Sequence, residues 1–332
     1  MGKKRLYRAR VLVTGAGGFI GSHLCELCLT EGAEVRAFVR YNSRNDWGML
    51  EDLDPTKLKA IEIVAGDLRD AEAVRRAVAG CNYVFHLGAL IGIPYSYANP
   101  ADVVATNVTG TLHVLQACRE AGVDRLVQTS TSEVYGTAQY TPMDEHHPLH
   151  PQSPYAASKV ASDKLAESYY RTYGLPVSVL RPFNTYGPRQ SPRAVIPTII
   201  VQALHGKTIR LGSLAPRRDL TFVNDTAAGF VAAAVSAAAV GQTIQLGTGR
   251  DTAVSELVEI IARLMRKKLA VVADEGRRRP SSSEVERLVA SNKRAGELLQ
   301  WQPETTLESG LRQTIDWFES RADRYKHDLY HT

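Results

Sequence analysis

Short apolar stretches alternate with longer amphipathic stretches over the first half of the chain. Six apolar stretches predict β-strands, at 10–14, 34–39, 59–64, 82–87, 125–129 and 177–181. The intervening periodicity predicts helices, at 19–31, 71–79, 100–121 and 155–173. Strands that alternate with helices are typical of parallel sheets, so the sequence predicts an α/β fold with a Rossmann-type doubly wound parallel sheet.

The pattern changes after Pro182. Gly, Pro and Arg become frequent through 187–193, and the regular alternation weakens. An alanine-rich helix is predicted over 225–239, followed by a strand over 242–246 that returns to the main sheet. We therefore expect a dinucleotide-binding domain over 1–182, to which 220–247 return, and a smaller substrate-binding lid region over 183–332.

Composition narrows the function classes. The net charge is only +5, and the basic residues lack the aromatic–basic stripe of a nucleic-acid-binding surface. No apolar run approaches the roughly 20 residues of a membrane span, and no signal-peptide core follows the basic start. Cys25 and Cys28 lie one helical turn apart and are predicted to be core thiols. We expect a cytoplasmic protein with a small anionic ligand and without nucleic-acid, membrane or metal partners.

A glycine-rich turn lies between the first predicted strand and the first predicted helix. Glycines there permit a tight turn and a close approach of the backbone to a pyrophosphate. The helix N-terminus adds amide donors and a favourable dipole. The turn predicts a dinucleotide site formed by Gly15, Gly17, Gly18, Phe19, Ile20 and Gly21.

The end of the second strand bears on the choice of cofactor. NAD sites usually place an acid there, whereas NADP sites place an arginine near the 2′-phosphate. This chain has Arg40 and Arg44, and no acid until Asp46. The pattern favours NADP, with NAD possible if the two arginines are only solvated surface residues.

A tyrosine and a lysine four positions apart carry the predicted chemistry. Tyr155 and Lys159 share one face of a helix. A free phenol has a pKa near 10, and a neighbouring ammonium favours the phenolate. We expect Lys159 to lower the pKa of Tyr155, so that it takes a proton from an alcohol whose carbon loses hydride. The pair predicts an oxidoreductase-type enzyme.

Together with Gly66-Asp67-Leu68 and His86-Leu-Gly-Ala-Leu90, these motifs resemble the extended short-chain dehydrogenase/reductases over essentially the whole chain. In that family a Ser or Thr at the fifth strand end acts with the tyrosine and lysine, and this maps onto Thr131. The resemblance also implies a homodimer formed through the helices near 100–121 and 155–173. Beside the glycine turn, it implies cofactor contacts from Asp67, Leu68, Leu87, Ala89, Asn107, Tyr155 and Lys159.

Further motifs are similar to those of enzymes that act on nucleotide sugars. The run Pro182-Phe-Asn-Thr-Tyr-Gly-Pro-Arg189 is similar to a pyrophosphate-contacting loop of that group. Arginine suits a diphosphate because its planar donors bind two oxygens at once. Arg218 alternatively forms a simple ion pair with its neighbour Asp219. The resemblance implies substrate contacts from Tyr95, Asn184, Arg193 and Arg218.

Glu133, in Thr131-Ser132-Glu133, bears on the reaction. Simple 4-epimerases usually have a small residue there, whereas sugar 4,6-dehydratases carry Thr-Asp-Glu, with Asp as acid and Glu as base. This chain keeps the Glu but has Ser132 in place of the Asp. UDP-glucuronate decarboxylases also carry Ser-Glu, and a structural, turn-capping carboxylate is a further alternative.

Two stretches, at 86–97 and 136–145, are similar to retaining nucleotide-activated N-acetylglucosamine 4,6-dehydratases of legionaminic-type pathways. The resemblance implies that Tyr155 takes the C4 hydroxyl proton and Glu133 the C5 proton. Water then leaves from C6, and hydride returns there, so the cofactor is tightly bound and recycled. Ser132 is too weak an acid to protonate the leaving water. The alternatives are a UDP-glucuronate decarboxylase, a nucleotide-sugar 4-epimerase and, from another class, a non-catalytic NADP-binding sensor.

Overall fold

A computed structural model describes residues 5–277 and 280–325, and seven parallel strands form its main sheet. In chain order these are β1 (Arg10–Thr14), β2 (Glu34–Arg40), β3 (Ile61–Gly66), β4 (Tyr83–His86), β5 (Arg125–Thr129), β6 (Val177–Pro182) and β10 (Thr243–Leu246). Across the sheet the order is β10-β6-β5-β4-β1-β2-β3. The predicted α/β fold, a Rossmann-type doubly wound parallel sheet, is confirmed. The direction of winding switches between β1 and β4, where ligands bind in such sheets.

Helices cover both faces of this sheet because its strands are apolar on both sides. Val11 and Val13 of β1 face one core, while Leu12 faces the other. Cys25 and Cys28 are buried in the first core, as predicted for core thiols. The helices of the two layers are α1 (Phe19–Thr30), α2 (Pro55–Lys59), α3 (Ala71–Val78), α4 (Ile93–Ala98), α5 (Pro100–Val104), α6 (Gly110–Ala121), α7 (Pro154–Tyr173) and α9 (Val223–Val235).

The helix predicted over 100–121 is interrupted. A π-helical turn, Ala105–Thr109, separates α5 from α6. Asn107 lies in this turn, and its amide side chain both accepts from the Leu90 nitrogen (2.7 Å) and donates to the Leu90 oxygen (3.0 Å). The wider turn accommodates one additional residue, which leaves the amphipathic pattern of the flanking helices almost unchanged. Periodicity alone therefore predicted one uninterrupted helix.

The chain leaves the main sheet after Pro182 and builds a smaller layer. One sheet there contains β7 (Asn184–Tyr186), β9 (Arg217–Phe222), β11 (Asp251–Ala253) and β13 (Arg287–Leu288), and β8 (Thr208–Leu211) pairs with β12 (Ala270–Ala273). The helices are α8 (Val195–His205), α10 (Val254–Leu264), α11 (Lys293–Leu299) and α12 (Leu307–Glu319). An apolar cluster joins α8, α10 and α12 to these strands.

Two elements from later in the chain complete the main sheet. Strand β10 pairs in parallel with β6, with Thr243 opposite Val179. Helix α9 shares the first core with α1, through residues such as Phe230 and Leu24. The helix predicted over 225–239 is thus shorter and starts earlier, and a 3₁₀ turn follows it at Ala237–Ala239. Within the described ranges, no helix is long and apolar enough to cross a membrane.

Candidate active site

In the turn between β1 and α1, backbone segments pack directly against one another, without side chains between them. Gly15 has a φ of +69°, and a Cβ there would lie 2.8 Å from the Cα of Gly88, in the loop after β4. A Cβ on Gly21 would collide with the Gly15 carbonyl oxygen. Gly18 is the N-cap of α1, whose first turn contains no acidic residue and includes Phe19 and Ile20. Free amides and the helix dipole at this end fit the pyrophosphate of a dinucleotide.

The remaining predicted cofactor residues lie along the same edge of the sheet. Asp67 and Leu68 follow β3, and Leu87 and Ala89 follow β4. Asn107 is buried beside them, and its amide nitrogen also donates to the Ser158 hydroxyl at 2.9 Å. The structure therefore brings the cofactor candidates to the carboxyl ends of neighbouring strands, next to the switch point.

The end of β2 is cationic. Arg40 is its last residue and is exposed. Arg44 lies in the following loop, is 82% exposed and pairs with Asp46 at 3.6 Å. Asn42 shapes this loop, since its Oδ1 accepts from the backbone nitrogens of Arg44 and Asp46. The first acid after the strand is therefore already paired.

A chain of polar contacts, here called the rim network, joins Asp67, Arg69, Asp102 and Tyr95. Arg69 binds both Asp67 oxygens, at 3.0 and 2.6 Å, and hydrogen bonding by Arg69 lowers the pKa of Asp67. The other terminal nitrogen of Arg69 reaches Asp102 at 3.0 Å. The Tyr95 hydroxyl donates to Asp102 at 2.8 Å. A predicted cofactor contact and a predicted substrate contact thus belong to one network.

The predicted catalytic residues come together between β5 and α7. Tyr155 and Lys159 are only 8% and 4% exposed. Thr131 lies just after β5 and hydrogen-bonds the Tyr155 phenol. The Thr131 hydroxyl also accepts from the Glu133 backbone nitrogen at 3.3 Å, which caps a 3₁₀ turn that starts at the buried Ser132. A proton acceptor, its hydroxyl partner and a carboxylate therefore share one small region.

The pKa of Tyr155 differs from the expectation, and the pKa of its neighbour Lys159 is shifted as well. Burial raises the pKa of Tyr155; Thr131 opposes this shift, while the charges of Glu133 and Asp163 add to it. Burial also lowers the pKa of Lys159 to about 8, against the raising effect of Asp163. The expected net lowering of the Tyr155 pKa is wrong for this structure. Loss of hydration outweighs the attraction that the four-residue spacing indicated.

The substrate candidates Asn184, Arg193 and Arg218 lie in the part of the chain that follows Pro182. Asn184 starts β7, and its Oδ1 is buried without a hydrogen-bond partner in the described part of the chain. Such an acceptor is free for a ligand donor or a water. Arg193 is exposed, and its guanidinium lies near Gly92 in the loop before α4.

Arg218, on β9, does not form the suggested pair with Asp219. Its guanidinium lies 3.3 Å from Glu284, which precedes β13. Asp219 instead accepts from the backbone nitrogens of Thr248 and Gly249, at 2.8 and 2.9 Å. The arginine is therefore held between β9 and the segment around β13.

Sequence reasoning missed one ion pair beneath the catalytic residues. Asp163 of α7 and Arg181 of β6 are 0% and 3% exposed, and lie 3.0 Å apart. Two signals were available in the sequence: an acid four residues after Lys159, and an arginine within a mostly apolar strand. Neither residue belongs to the motifs that carried the resemblance.

Comparison with known proteins places this geometry among nucleotide-sugar enzymes. Residues 12–314 match the family model described as GDP-mannose 4,6 dehydratase. The chain is 36% identical to the UDP-glucose 4-epimerase of Mycolicibacterium smegmatis, over 94% of this chain and 99% of that protein. It is 33% identical to a dTDP-glucose 4,6-dehydratase of Streptomyces antibioticus, over 94% and 93%.

The fold is likewise similar to a solved dTDP-glucose 4,6-dehydratase from Streptomyces venezuelae with NAD bound. Its TM-score is 0.84 at 31% identity, and the match covers 96% of this chain and 99% of that one. Epimerases and dehydratases are thus both similar to this chain over nearly its full length.

Proposed function

Because the chain belongs to the GDP-mannose 4,6-dehydratase family, which groups nucleotide-sugar epimerases and dehydratases, we propose that it is a 4,6-dehydratase. The proposed substrate is UDP- or GDP-N-acetylglucosamine, with retention at C5. The observation that carries the proposal is the Glu133 carboxylate, which is close enough to act electrostatically on the Tyr155 phenol. A base at this place supports a second proton transfer, after the oxidation at C4 that these enzymes share.

The proposed cofactor is a tightly bound nicotinamide dinucleotide. Such a group would supply reversible hydride acceptance for the oxidation at C4, with no net change of the cofactor over a turnover. The glycine turn and the residues after β3 and β4 would hold it. The NAD named with the Streptomyces venezuelae relative supports NAD. Arg40 and Arg44 at the end of β2 support a preference for NADP, because arginine suits a 2′-phosphate.

In the proposed mechanism the chain's residues act as acids and bases in successive proton transfers. Tyr155, oriented by Thr131, takes the proton of the C4 hydroxyl while the Lys159 ammonium stabilises the phenolate. The C4 ketone makes the C5 proton acidic, and Glu133 removes it. Glu133, now protonated, or an ordered water, protonates the C6 hydroxyl as it leaves as water. Glu133 or solvent water, whichever did not protonate the leaving hydroxyl, then returns a proton to C5 on its original face, and Tyr155 releases its proton to solvent.

A 4-epimerase is the second candidate, because the Mycolicibacterium smegmatis relative carries that activity. An epimerase uses Tyr155 and Lys159 for the same first step and needs no base at C5. A UDP-glucuronate decarboxylase also shares that step and needs a cation for the substrate carboxylate. The resemblance implies substrate contacts from Arg193 and Arg218, but neither is uniquely assignable to that carboxylate. The carboxylate of Glu133 favours the dehydratase over the epimerase, and the decarboxylase is disfavoured because the chain offers no uniquely assignable cation for the substrate carboxylate.

The test is the mass of the product formed from each candidate substrate. Purified protein is incubated with UDP-N-acetylglucosamine, GDP-N-acetylglucosamine or UDP-glucuronate, without added cofactor. Loss of water from one of the first two supports the dehydratase. An isomer of unchanged mass identifies an epimerase, and loss of carbon dioxide from UDP-glucuronate identifies a decarboxylase. Full biological activity of a Tyr155→Phe protein would instead support the non-catalytic sensor.

A pair of variants tests the role of Glu133. Glu133→Gln should still oxidise C4 but should release no water, because the amide cannot take the C5 proton. Glu72→Gln, a substitution of an exposed acid on α3, serves as the control and should leave turnover unchanged. Normal water loss by Glu133→Gln would refute its assignment as the base.

We also propose a homodimer formed through α5, α6 and α7. Val104, Tyr170 and Tyr173 on these helices are large apolar or aromatic residues that are 38–52% exposed. Light scattering on the purified protein tests this proposal, and a monomer at micromolar concentration would contradict it.

A further inference from the structure

The ion pair between Asp163 and Arg181 contacts both ends of the segment 130–135, here called the catalytic turn. Ser130, directly before Thr131, donates its hydroxyl to Asp163 at 2.7 Å. Tyr135, two residues after Glu133, accepts from the Arg181 guanidinium at 2.8 Å. Asp163 and Arg181 are joined at 3.0 Å, with a second contact at 3.2 Å. The segment that carries Thr131 and Glu133 is therefore attached at each end to the same buried pair.

Four elements meet around the Asp163–Arg181 pair. Asp163 lies on α7, one helical turn after Lys159 and on the same face. Arg181 lies on β6, and its guanidinium is over the Tyr135 ring at 4.9 Å. Gln245 on β10 donates to the Tyr135 hydroxyl at 2.7 Å. The catalytic turn, the catalytic helix and two strands of the sheet thus meet at this pair.

Stability alone does not explain the pair. Taking two charges out of water is unfavourable, and well-packed apolar residues in place of a buried pair are often equally stable or more so. Three donors converge on one oxygen of Asp163, from Ser130 and Arg181. The other oxygen of Asp163 is buried without a hydrogen-bond partner in the described ranges. The Asp163 carboxylate is costly to bury, and only one of its oxygens is hydrogen-bonded. Its presence is more readily explained if it orients neighbouring residues and supplies a negative charge.

We propose that Asp163 and Arg181 are positioning residues, which hold Thr131 and Glu133 against the helix that carries Tyr155 and Lys159. The charge of Asp163 additionally favours the ammonium form of Lys159. The role concerns the first oxidation at C4, so it applies equally to a dehydratase, a decarboxylase or an epimerase. Failure of the dehydratase proposal would leave it intact.

The charged and titratable groups around Lys159 determine the expected pH effect. Asp163 faces it from α7, Glu133 acts on the same centre from the catalytic turn, and Arg181 stands behind Asp163 on β6. His86, from β4, is neutral, because burial and then Lys159 lower its pKa to about 3. The charge of Asp163 raises the pKa of both Lys159 and Tyr155. Removing it should lower both pKa values and move the whole pH profile to lower pH.

The first experiment compares Asp163→Asn with Asp163→Glu in the complete, cofactor-loaded protein. The readout is the single-turnover rate of nicotinamide reduction by the substrate identified in the product test, measured over a range of pH. Asp163→Asn should slow this step about 10–100-fold, because small displacements of reacting groups have effects of that size. Its profile should also move about one unit to lower pH. Asp163→Glu keeps the negative charge, so the pH profile of this variant should have the same position as that of the unsubstituted protein.

A second readout does not depend on turnover. The pKa of Lys159 is measured by nuclear magnetic resonance on isotope-labelled lysine in the cofactor-free protein. We expect a lower value in Asp163→Asn than in the unsubstituted protein. An unchanged Lys159 pKa together with an unshifted pH profile would overturn the proposal, even if Asp163→Asn were slow.

Asp163→Asn leaves Arg181 unpaired and is expected to be unstable. The double variant Asp163→Leu/Arg181→Met replaces the whole pair with apolar side chains and keeps the test decisive. It should fold, and it should still show the slow reduction step and the shifted profile. A matched change of an exposed pair, Glu72→Gln/Arg75→Gln, should alter neither quantity. A double variant with normal rate and profile would refute the positioning role.

Discussion

The two sides of the candidate site use the same acid–arginine chemistry in opposite surroundings. On the catalytic side, Asp163 and Arg181 are 0% and 3% exposed and lie 3.0 Å apart. On the cofactor side, the rim network pairs Asp67 with Arg69 at 2.6 Å, with side chains 35% and 42% exposed. The shorter pair is the weaker constraint, because water and salt screen it. Exposure, more than distance, decides how firmly a polar contact fixes geometry.

This difference separates two kinds of function. The buried side holds Tyr155, Thr131 and Glu133, where an error of one ångström affects the reacting atoms. The exposed side holds Arg40 and the rim network, where side chains can rearrange around different ligands. We therefore expect substitutions on the buried side to change rate, and substitutions on the rim to change ligand preference. The following predictions test that contrast.

The largest effect is expected from Tyr155→Phe, which removes the proton acceptor for the C4 hydroxyl. The turnover rate should fall by about 10²–10⁴-fold, the usual contribution of a positioned acid–base group. Substrate binding, measured by calorimetry, should change little. Tyr140→Phe, at an exposed tyrosine bonded to Asp144, is the control and should retain full activity. Substantial turnover by Tyr155→Phe would show that the buried side does not supply the proton acceptor for the C4 hydroxyl.

The next effect concerns stability and pH. Lys159 has its pKa lowered from 10.5 to about 8 by burial, so the unfolded chain binds more protons between those values. Stability should therefore increase as the pH rises from 8 towards 10, and this contribution is lost as the pH falls through 8. Relative to Lys159→Met, the gain should be about 3 kcal/mol.

Urea unfolding of the cofactor-free protein measures this difference. Above pH 10 the stability of each protein should fall, because burial raises the pKa of Tyr155 and the unfolded tyrosine then ionises first, but this decline is common to both proteins and cancels in their difference. A constant difference between the two proteins across this range would show that Lys159 is better hydrated than the structure indicates.

On the rim, Arg40→Asp should change cofactor preference by about tenfold in favour of NAD, which corresponds to about 1.4 kcal/mol. The carboxylate would repel a 2′-phosphate and accept from a ribose hydroxyl. Fluorescence titration with NAD⁺ and NADP⁺ gives the two dissociation constants. Arg44→Gln is the matched comparison and should have less effect, since Arg44 is 82% exposed and paired with Asp46. A preference unaltered by Arg40→Asp would contradict the NADP assignment.

The smallest effect is expected from Tyr95→Phe. Its hydroxyl donates to Asp102 within the partly exposed rim network, so its loss should alter stability by about 1 kcal/mol or less. The Michaelis constant should change less than about fivefold, and kcat should stay the same. A large increase in the Michaelis constant would show that Tyr95 leaves Asp102 to contact the substrate, as the resemblance implied.

Much of the fold was predictable because local patterns decide it. The alternation of apolar strands with amphipathic helices predicted the parallel sheet, and Gly15 and Gly21 marked the turn where no Cβ fits. The π-helical turn around Asn107 was not predictable, because the additional residue hardly alters the periodicity on either side. Only the two contacts of Asn107 with Leu90 reveal why it is there.

The candidate site was predictable in its membership more than in its electrostatics. The sequence brought Tyr155, Lys159 and Thr131 together correctly, since strand ends and helix faces determine where they lie. It indicated the wrong direction for the Tyr155 pKa, because the depth of burial depends on the whole fold. The role of Arg181 was missed because it also depends on the whole fold. Its partner Asp163 lies on another element, 18 residues away in the chain.

The late return of the chain to its main sheet has a consequence for synthesis on the ribosome. Strand β6 stays an open edge, and the hydrophobic side chains beneath α9 stay uncovered, until residues 223–246 have been translated. At about 5–20 residues per second, this interval lasts several seconds. A nascent chain with an unpaired parallel edge is a target for chaperones and for aggregation. A fragment truncated after Pro182 would retain that edge permanently, so residues 1–182 should not be obtainable as a separate, soluble protein.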